Sequence, residues 1–276
     1  MKPLREQTIL VTGATDGLGK AVAIDLARRG AQVIVHGRDA ERIARAVEEI
    51  GRVSSQPVRT YLANFASLEQ VRALAKQLLE AEKQLDVLVN NAGIGTVVPG
   101  GDVRAESRNG YELRFAVNYL APFLLTHLLL PLLRASKPAR IVNVTSAGQQ
   151  PIDFDDVMLH RGYSGTRAYC QSKLAQILFT KTLADELAGE GITVNALHPA
   201  TYMPTKIVAS PISTLEEGVE ATARLAVDPA MEGTTGRYFN GKRESRAHDQ
   251  AYDARARAML DERSRKLTGL SARVPR

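Results

Sequence analysis

Short runs of aliphatic and β-branched residues alternate with longer helical patterns along most of the chain, and this alternation restricts the fold more than any other feature. Predicted strands occupy residues 8–12, 32–35, 58–62, 87–90, 140–145, 193–197 and 237–239, and predicted helices occupy residues 18–29, 40–50, 68–83, 111–133, 168–190 and 215–227. Strand segments such as Ile9-Leu10-Val11 are apolar at every position, which is typical of parallel strands covered by helices on both faces. The pattern predicts an α/β fold with a doubly wound parallel sheet in the strand order 3-2-1-4-5-6-7.

The composition indicates one domain. The 276 residues include 44% hydrophobic side chains, enough for one buried core, and we find neither a repeat nor a linker that would divide them. We expect residues 1–246 to form a Rossmann-type domain, with residues 247–276 as its basic C-terminal helix and tail. Residues 116–133 are the most apolar stretch, but Asn118, His127 and two prolines favour a buried helix over a membrane span. With the single cysteine Cys170 and a polar N-terminus, we expect a cytoplasmic protein.

The formal net charge of +6 is concentrated at the C-terminal end of the chain. Residues 237–276 carry 11 Lys or Arg and 5 Asp or Glu, whereas the remaining residues carry 25 of each sign. A basic segment of this kind is compatible with an anionic partner. Its arginines are scattered and not interleaved with aromatic residues, so the pattern favours a solvated helix, and we expect no nucleic-acid partner.

A glycine-rich turn follows the first predicted strand and opens the first predicted helix. Glycines allow a tight bend and close approach of backbone to a pyrophosphate, and a helix N-terminus offers free N–H groups and a positive dipole end. The spacing is G-x-x-x-G-x-G, in the strand–turn–helix context that dinucleotide binding requires. We therefore predict a dinucleotide cofactor bound at Thr12, Gly13, Thr15, Asp16, Gly17, Leu18 and Gly19.

Residues suited to proton transfer lie in later elements. Tyr169 and Lys173 share one helix face, and the ammonium is expected to lower the pKa of the phenol so that it exchanges protons near neutral pH. Ser146 at the end of the fifth strand can hold a substrate oxygen, with Thr145 as the alternative because only one of the two can face the site. Asn118 lies in an otherwise apolar helix and is either satisfied by backbone or functional.

Taken in order, residues 12–19, Asn90-Asn91-Ala92-Gly93, Asn118, Ser146 and the Tyr169/Lys173 pair resemble the short-chain dehydrogenase/reductase family over about residues 7–240. The resemblance implies an NAD(P)-dependent oxidoreductase that moves a hydride between nicotinamide and a carbonyl or alcohol carbon, without a metal. It implies that Tyr169 is the general acid/base, that Lys173 tunes it and binds the ribose, that Ser146 orients the carbonyl and that Asn118 holds a relay water. It also implies cofactor contacts from Asn64, Phe65, Asn91, Ala92, Gly93, Pro199 and Thr201.

A closer likeness is to the retinol-dehydrogenase-like branch, carried by residues 163–165, 168–175 and 236–239 and by a long Ser-to-Tyr spacing. The branch is broad, so retinoid chemistry does not follow. Three long loops, at 95–110, 149–167 and 200–213, carry apolar residues that either line a crevice or pack the loops onto the sheet: Val97, Val98, Ile152, Phe154, Met158, Tyr202, Met203, Ile207 and Val208. We expect a lipophilic small-molecule carbonyl or alcohol as substrate.

Some positions depart from the family pattern. Asn64 replaces an Asp that usually contacts the adenine, but its amide can still accept a hydrogen bond, so we expect cofactor binding to survive. Pro199-Ala200 replaces a Pro-Gly pair, and Pro204 stands where a Thr often bonds the nicotinamide amide, with Thr205 one residue later. These departures leave the details of nicotinamide anchoring open.

The end of the second strand predicts the cofactor. Arg38 suits the 2′-phosphate of NADP, and Gly37 leaves room for it, whereas a carboxylate would favour NAD. Asp39 is predicted to cap the helix that begins at Ala40, with its carboxylate turned to backbone N–H groups. We expect a real but incomplete preference for NADP, with NAD as the possible second cofactor.

Two other functions share the fold or the Tyr/Lys pair of this chain. A non-catalytic NADP-sensing regulator shares the fold but usually loses part of the Ser/Tyr/Lys set, and a sugar-nucleotide epimerase needs more than the 80 or so residues after Leu197.

We expect a homodimer or homotetramer paired through the helices at 111–133 and 168–190. The second helix carries more apolar positions than one buried stripe needs, although the residues before Tyr169 could cover that face instead.

Overall fold

The computed structural model describes residues 2–96, 103–201, 203 and 212–271. Within these residues one sheet has the strand order β3-β2-β1-β4-β5-β6-β7-β8. The strands are β1 (Thr8–Val11), β2 (Gln32–Gly37), β3 (Arg59–Leu62), β4 (Val87–Asn90), β5 (Ala139–Val144), β6 (Ile192–His198), β7 (Tyr238–Asn240) and β8 (Arg243–Glu244). Strands β1 to β7 all run parallel to their neighbours in the sheet, whereas the short edge strand β8 pairs antiparallel with β7. The predicted fold class and order are confirmed, with β8 as an addition.

Helices cover both faces of this sheet. They are α1 (Gly17–Arg28), α2 (Ala40–Gly51), α3 (Leu68–Ala81), α4 (Leu113–Ala135), α5 (Gly165–Glu186), α6 (Leu215–Val227) and α7 (Ala254–Thr268). One apolar core joins α1, α2 and α6 to the sheet, and a second core joins α3, α4, α5 and α7 to its opposite face. Alternate strand residues enter the two cores, with Ile9 and Val11 in one and Leu10 in the other. This arrangement explains why the strands are apolar at every position.

The helix α4 is the central helix of the second core. Its length and mean hydropathy of 1.6 are sufficient for a membrane span, but 83% of that apolar window is buried inside the protein. It is therefore a core helix, as the polar residues in the sequence indicated. The segment Ala116–Leu120 forms a π-helical turn within it, and this turn contains Asn118.

The helix α5 begins earlier and ends earlier than the predicted range of 168–190. Ser164 caps its N-terminus, since the side chain accepts a hydrogen bond of 3.1 Å from the backbone N–H of Arg167. The backbone explains why α5 ends before residue 190, the predicted end of the helix. Gly189 and Gly191 have positive φ angles of 77° and 73°, so the chain leaves the helical conformation before the predicted end.

The basic helix α7 packs against α4 and α5 instead of standing free in solvent. Tyr119 of α4 shares a 2.6 Å hydrogen bond with Ser264 of α7, and both side chains are buried. Arg265 of α7 forms ion pairs with Asp261 at 2.9 Å and with Glu186 of α5 at 3.6 Å. The expectation of a solvated helix is therefore correct only for the outer face of α7.

The apolar surplus of α5 is used within a single chain. Leu174, Ile177, Leu178, Leu183 and Leu187 are all at most 1% exposed, and they share a core with α4 and with Leu260 of α7. The observation that suggested pairing through α4 and α5 is thus explained without a second copy. Assembly as a homodimer or homotetramer stays a prediction. The helix α7 covers part of the face of α4 and α5 that is predicted to form the interface.

Two neighbouring residues of α7 test this docking. Leu260 is 1% exposed on the inner face, whereas Met259 is 37% exposed on the outer face. We expect Leu260→Ala to lower the free energy of unfolding by about 2–5 kcal/mol, because it leaves a cavity in the core. Met259→Ala should change it by less than about 0.5 kcal/mol. Urea denaturation measures both, and equal small effects would show that α7 does not contribute to the core.

Candidate active site

The site lies at the edge of the sheet where the parallel strands end, as expected for this class of fold. The turn after β1, the segments after β4 and β5, and the start of α5 meet there. Thr12, which follows β1, and Asn91, which follows β4, hold this edge together. The Thr12 hydroxyl accepts the N–H groups of Asn91 and Ala92 at 2.9 and 3.0 Å, and the Asn91 side chain donates to the Thr12 carbonyl at 2.9 Å.

The glycines of the turn are required by packing inside the protein. A Cβ atom added to Gly13, whose φ is +66°, would lie 2.8 Å from the Cα of Ala92. A Cβ on Gly19 would lie 2.3 Å from Asn91 Nδ2 and 2.4 Å from the Gly13 carbonyl oxygen. These contacts let α1 start directly against the ends of β1 and β4. Its first-turn N–H groups, which have no acceptor within the helix, then face the edge of the sheet.

His36 fixes the turn from the side of β2, a role that no local sequence pattern indicates. Its Nδ1 accepts the Gly13 N–H at 3.2 Å, so the ring proton sits on Nε2, which donates to the Ala63 carbonyl at 3.0 Å. The ring stacks on Phe65 with 4.4 Å between centroids. Burial lowers the pKa of His36 to about 4, so the ring is neutral at pH 7 and keeps both bonds.

The end of β2 presents the residues predicted to choose the cofactor. Arg38 is exposed and forms no ion pair with any residue in the part of the chain that the structure describes. Asp39 caps α2, because its carboxylate accepts the Arg42 N–H at 3.0 Å, which is also the main cause that lowers its pKa. Gly37 packs against the Thr15 methyl group, which a Cβ would approach to 2.4 Å. The carboxylate is thus turned away, as predicted, and the guanidinium is available.

Ser146 and Tyr169 face each other across the site. Burial raises the pKa of the Tyr169 phenol, and the neighbouring Ser146 side chain acts on that pKa in the opposite direction. Thr145, the alternative, donates its hydroxyl to the Leu197 carbonyl at 2.9 Å and is occupied within the sheet. Gly148 keeps this pocket open, since an added Cβ would lie 3.1 Å from Cys170 Sγ and 3.5 Å from Ser146 Oγ. The geometry therefore selects Ser146 as the hydroxyl that a substrate oxygen can share with Tyr169.

Lys173 lies beneath Tyr169 but does not lower the pKa of the phenol in this structure. Its Nζ donates to the Val144 carbonyl at 2.9 Å and to Gln176 Oε1 at 3.0 Å, and lies 5.9 Å from the Tyr169 ring centroid. Burial lowers the pKa of Lys173 to about 7. Burial is also the largest effect on Tyr169 and raises its pKa, against the expectation from sequence. Tyr169 is therefore a neutral phenol at pH 7, ready to donate a proton.

Asn118 is fully satisfied within the protein. Its Oδ1 accepts the Ile94 N–H at 2.8 Å, and its Nδ2 donates to the Ile94 carbonyl at 3.1 Å and to the Ser172 hydroxyl at 2.9 Å. Gly93 lies beside it, since an added Cβ would be 3.2 Å from Asn118 Oδ1 and 3.5 Å from Lys173 Nζ. The side chain thus holds the segment after β4 against α5. Both of its amide protons are used, so it has no side-chain donor left for a relay water.

The remaining predicted cofactor residues lie around this edge with local roles. Asn64 Oδ1 accepts the Ala66 N–H at 3.0 Å and so shapes the turn after β3. Asp16 caps α1 by accepting the Gly17 N–H at 2.9 Å, and Leu18 is buried. Thr201, two residues after Pro199, bonds His198 Nε2 through its hydroxyl at 3.0 Å. No group of three potential metal ligands occurs among the described residues.

The four loop residues that the structure describes take the packing role. Ile152 is buried in the second core, and Phe154 and Met158 pack against that core, so these three hold the loop to the protein body. Met203 approaches Gly218, whose added Cβ would lie 2.3 Å from its Sδ. The other apolar residues named for the crevice, and two for nicotinamide anchoring, lie outside the described residues: Val97, Val98, Tyr202, Pro204, Thr205, Ile207 and Val208.

The sequence and the fold match one family. The family model described as short chain dehydrogenase matches residues 7–214. Retinol dehydrogenase 13 of Homo sapiens is 37% identical over 290 residues, which cover 96% of this chain and 86% of the relative. Retinol dehydrogenase 14 of Homo sapiens is 36% identical over 296 residues, covering 96% and 87%.

Solved structures agree with this match. An uncharacterized protein from Mycobacterium paratuberculosis superposes with a TM-score of 0.77 at 31% identity, covering 96% of this chain and 94% of that one. A structure from Escherichia coli CFT073, described as a short chain dehydrogenase complexed with NADPH, gives a TM-score of 0.71 at 27% identity and covers 87% and 98%. The likeness thus extends over nearly the whole chain in both sequence and fold.

Two glycine substitutions test the packing of the turn. We expect Gly19→Ala to weaken NADPH binding by roughly tenfold or more, about 1.4 kcal/mol, because the added methyl pushes α1 away from Asn91 and Gly13. Gly51→Ala is the matched control, since it also lies in a helix but an added Cβ meets nothing within 4 Å. Titration of NADPH fluorescence measures both. Equal affinities in the two variants would contradict the packing explanation.

Proposed function

Because the chain belongs to the short-chain dehydrogenase family, we propose that it is an NADP-preferring oxidoreductase acting on a lipophilic carbonyl or alcohol. The observation that carries the proposal is the approach of two side chains to one point beside Gly148, where an added Cβ would lie 3.5 Å from Ser146 Oγ and 4.0 Å from Tyr169 Cε1. The buried Lys173 amine lies 5.9 Å from the Tyr169 ring centroid. A carbonyl oxygen placed between two such hydroxyls receives a hydrogen bond from Ser146 and a proton from Tyr169. A cofactor-sensing protein without catalysis would have no use for this pair.

The residues present fit a phosphorylated dinucleotide. The N-terminal turn of α1 offers N–H groups without helical acceptors, and Arg38 offers an exposed guanidinium at the neighbouring strand end. These donors suit a pyrophosphate and a 2′-phosphate respectively. Lys173 and the backbone at Ala92 and Gly93 lie where the rest of the molecule would extend along the sheet edge. When bound in its reduced form, the cofactor supplies the hydride.

In the reduction direction, the chain's residues handle the oxygen and its proton. Ser146 donates to the carbonyl oxygen and polarises it, so the carbonyl carbon accepts the hydride pair more readily. As the C–O double bond becomes a single bond, the Tyr169 Oη–H bond breaks and its proton moves to the substrate oxygen. The resulting phenolate then regains a proton from solvent. Oxidation of an alcohol follows the same path in reverse.

The preference for a lipophilic substrate rests on two supports. Two relatives that align with 96% of this chain, at 37% and 36% identity, carry the name retinol dehydrogenase, and retinol is an apolar alcohol. Two of the described residues beside Ser146 and Tyr169, Gly148 and Cys170, are uncharged. An uncharged and mainly apolar crevice favours a lipophilic carbonyl over a small charged ketone.

We also propose that the protein acts in the cytoplasm on small molecules. The single cysteine, Cys170, is buried and burial raises its pKa, so it is suited to packing and not to disulfide exchange. The basic residues Arg255, Arg263 and Lys266 lie exposed on the outer face of α7, in keeping with a solvated surface. Fractionation of cells that produce the protein tests this location.

Turnover and its loss in one variant test the proposed chemistry. We expect the wild-type enzyme to oxidise NADPH with retinal or a long-chain aldehyde faster than with a small charged ketone. Tyr169→Phe should lower kcat by at least about 100-fold, because the transferable proton is lost, while NADPH binding remains. Absorbance at the NADPH band gives the rate, and NADPH fluorescence gives the binding. A Tyr169→Phe enzyme with wild-type kcat would exclude Tyr169 as the acid.

A second pair of variants tests the choice of cofactor. We expect wild type to have a higher kcat/KM for NADPH than for NADH, and Arg38→Ala to lose most of that ratio. A hydrogen bond to a charged group contributes about 1.5–3 kcal/mol, so the ratio should fall by roughly tenfold or more. Arg45→Ala is the control, because Arg45 is an exposed arginine on α2 that pairs with Glu41. An equal change in both variants would mean that only surface charge matters.

A further inference from the structure

Arg114 is one of the largest fully buried side chains of the protein, at 1% exposure. Its Nε donates to the Gly95 carbonyl at 2.9 Å and its Nη2 to the Thr96 carbonyl at 2.8 Å. Its Nη1 donates to the Tyr163 hydroxyl at 2.6 Å. Arginine is almost never buried without such partners, and every nitrogen of this guanidinium has one.

Glu112 completes the arrangement around the guanidinium. Its side chain is 1% exposed, and Oε1 lies 4.0 Å from Arg114 Nη1 and accepts the Tyr163 hydroxyl at 3.3 Å. Oε2 accepts the Phe115 N–H at 2.6 Å and so caps the start of α4. Arg114, Tyr163 and Glu112 therefore form a closed ring of contacts, which fixes the position of the Tyr163 hydroxyl as well as that of the guanidinium.

The two groups that Arg114 joins belong to different segments, each of which leads to a residue of the site. Gly95 and Thr96 follow Ile94, which Asn118 holds, and Gly93, which lies beside Lys173. Tyr163 directly precedes Ser164, the N-cap of α5, which carries Tyr169. The guanidinium therefore connects the segment after β4 to the entrance of the catalytic helix. It makes this connection from inside the protein, without reaching the Ser146–Tyr169 pair.

We propose that Arg114 and Tyr163 act as a strut that sets the width of the substrate crevice between residues 94–96 and the start of α5. Both are positioning residues, because they act on the substrate only through the backbone that they hold. The inference rests on the proposed function insofar as the crevice receives a carbonyl or alcohol. Loss of the strut should weaken substrate binding while leaving the cofactor turn and the proton-transfer residues in place.

Arg140 offers a matched control. It is also buried, at 3% exposure, and its Nη1 also donates to backbone carbonyls, those of Leu225 at 3.3 Å and Asp228 at 2.8 Å. It lies at the start of β5, at the opposite edge of the sheet from the site. Arg140→Met therefore removes a buried guanidinium with a comparable loss of backbone hydrogen bonds, but it does not touch either wall of the crevice.

Steady-state kinetics on the full chain separates positioning from stability. We expect Arg114→Met to raise the KM for the aldehyde by about fivefold or more, with kcat changed by less than about twofold and NADPH affinity unchanged. Tyr163→Phe, which deletes one hydroxyl and keeps the ring, should raise the same KM by a smaller factor. Arg114→Lys should recover part of the loss. A KM that changes no more than in Arg140→Met would overturn the strut.

Amide hydrogen exchange gives a readout that does not require turnover. With NADPH bound, Arg114→Met and Tyr163→Phe should speed exchange in peptides covering residues 91–96 and 157–168, and Arg140→Met should not. Unchanged exchange in both peptides would overturn the strut even if the wild type is active. Faster exchange in the two variants, together with a wild-type enzyme that reduces no carbonyl, would instead support the strut and contradict the proposed function.

Discussion

The hydrogen bonds between the ends of β1 and β4 are the interaction on which the site depends. One hydroxyl, that of Thr12, accepts two backbone N–H groups of the neighbouring strand end, and Asn91 returns a bond to the Thr12 carbonyl. This close approach leaves no space for a Cβ at Gly13 or Gly19. The packing of α1, the direction of its N-terminus and the place of Gly93 beside Lys173 all follow from it.

The proton-transfer residues are also closely packed and buried. The amine of Lys173 is buried between the end of β5 and Gln176, and burial lowers its pKa to about 7. Burial also keeps Tyr169 protonated, and Ser146 lies near it on the far side of Gly148. A buried polar chain from Asn90 through Asn143 to Thr180 ties α5 to the central strands, so these groups are held by the sheet and not by flexible loops.

The sequence predicted most of the fold because periodicity and helix capping are local signals. It placed seven strands in the right order, since apolar runs alternate with amphipathic helices. It did not predict the roles of His36 and Arg114, because their partners lie 27 and up to 49 residues away and no local pattern marks such contacts. The early end of α5 had a visible signal in Gly189 and Gly191. The raised pKa of Tyr169 depends on burial, which spacing alone does not reveal.

In the proposed reaction, hydride passes directly between nicotinamide and a carbonyl carbon beside Ser146 and Tyr169. Isotope transfer tests it most directly. NADPH carrying deuterium at both C4 positions of the nicotinamide is incubated with the enzyme and an aldehyde in ordinary water, and the alcohol is analysed by mass spectrometry. Direct hydride transfer predicts deuterium on the carbinol carbon of the product, in an amount that matches the NADPH consumed. An alcohol that contains only hydrogen from water, or no alcohol with any aldehyde or ketone, would contradict it.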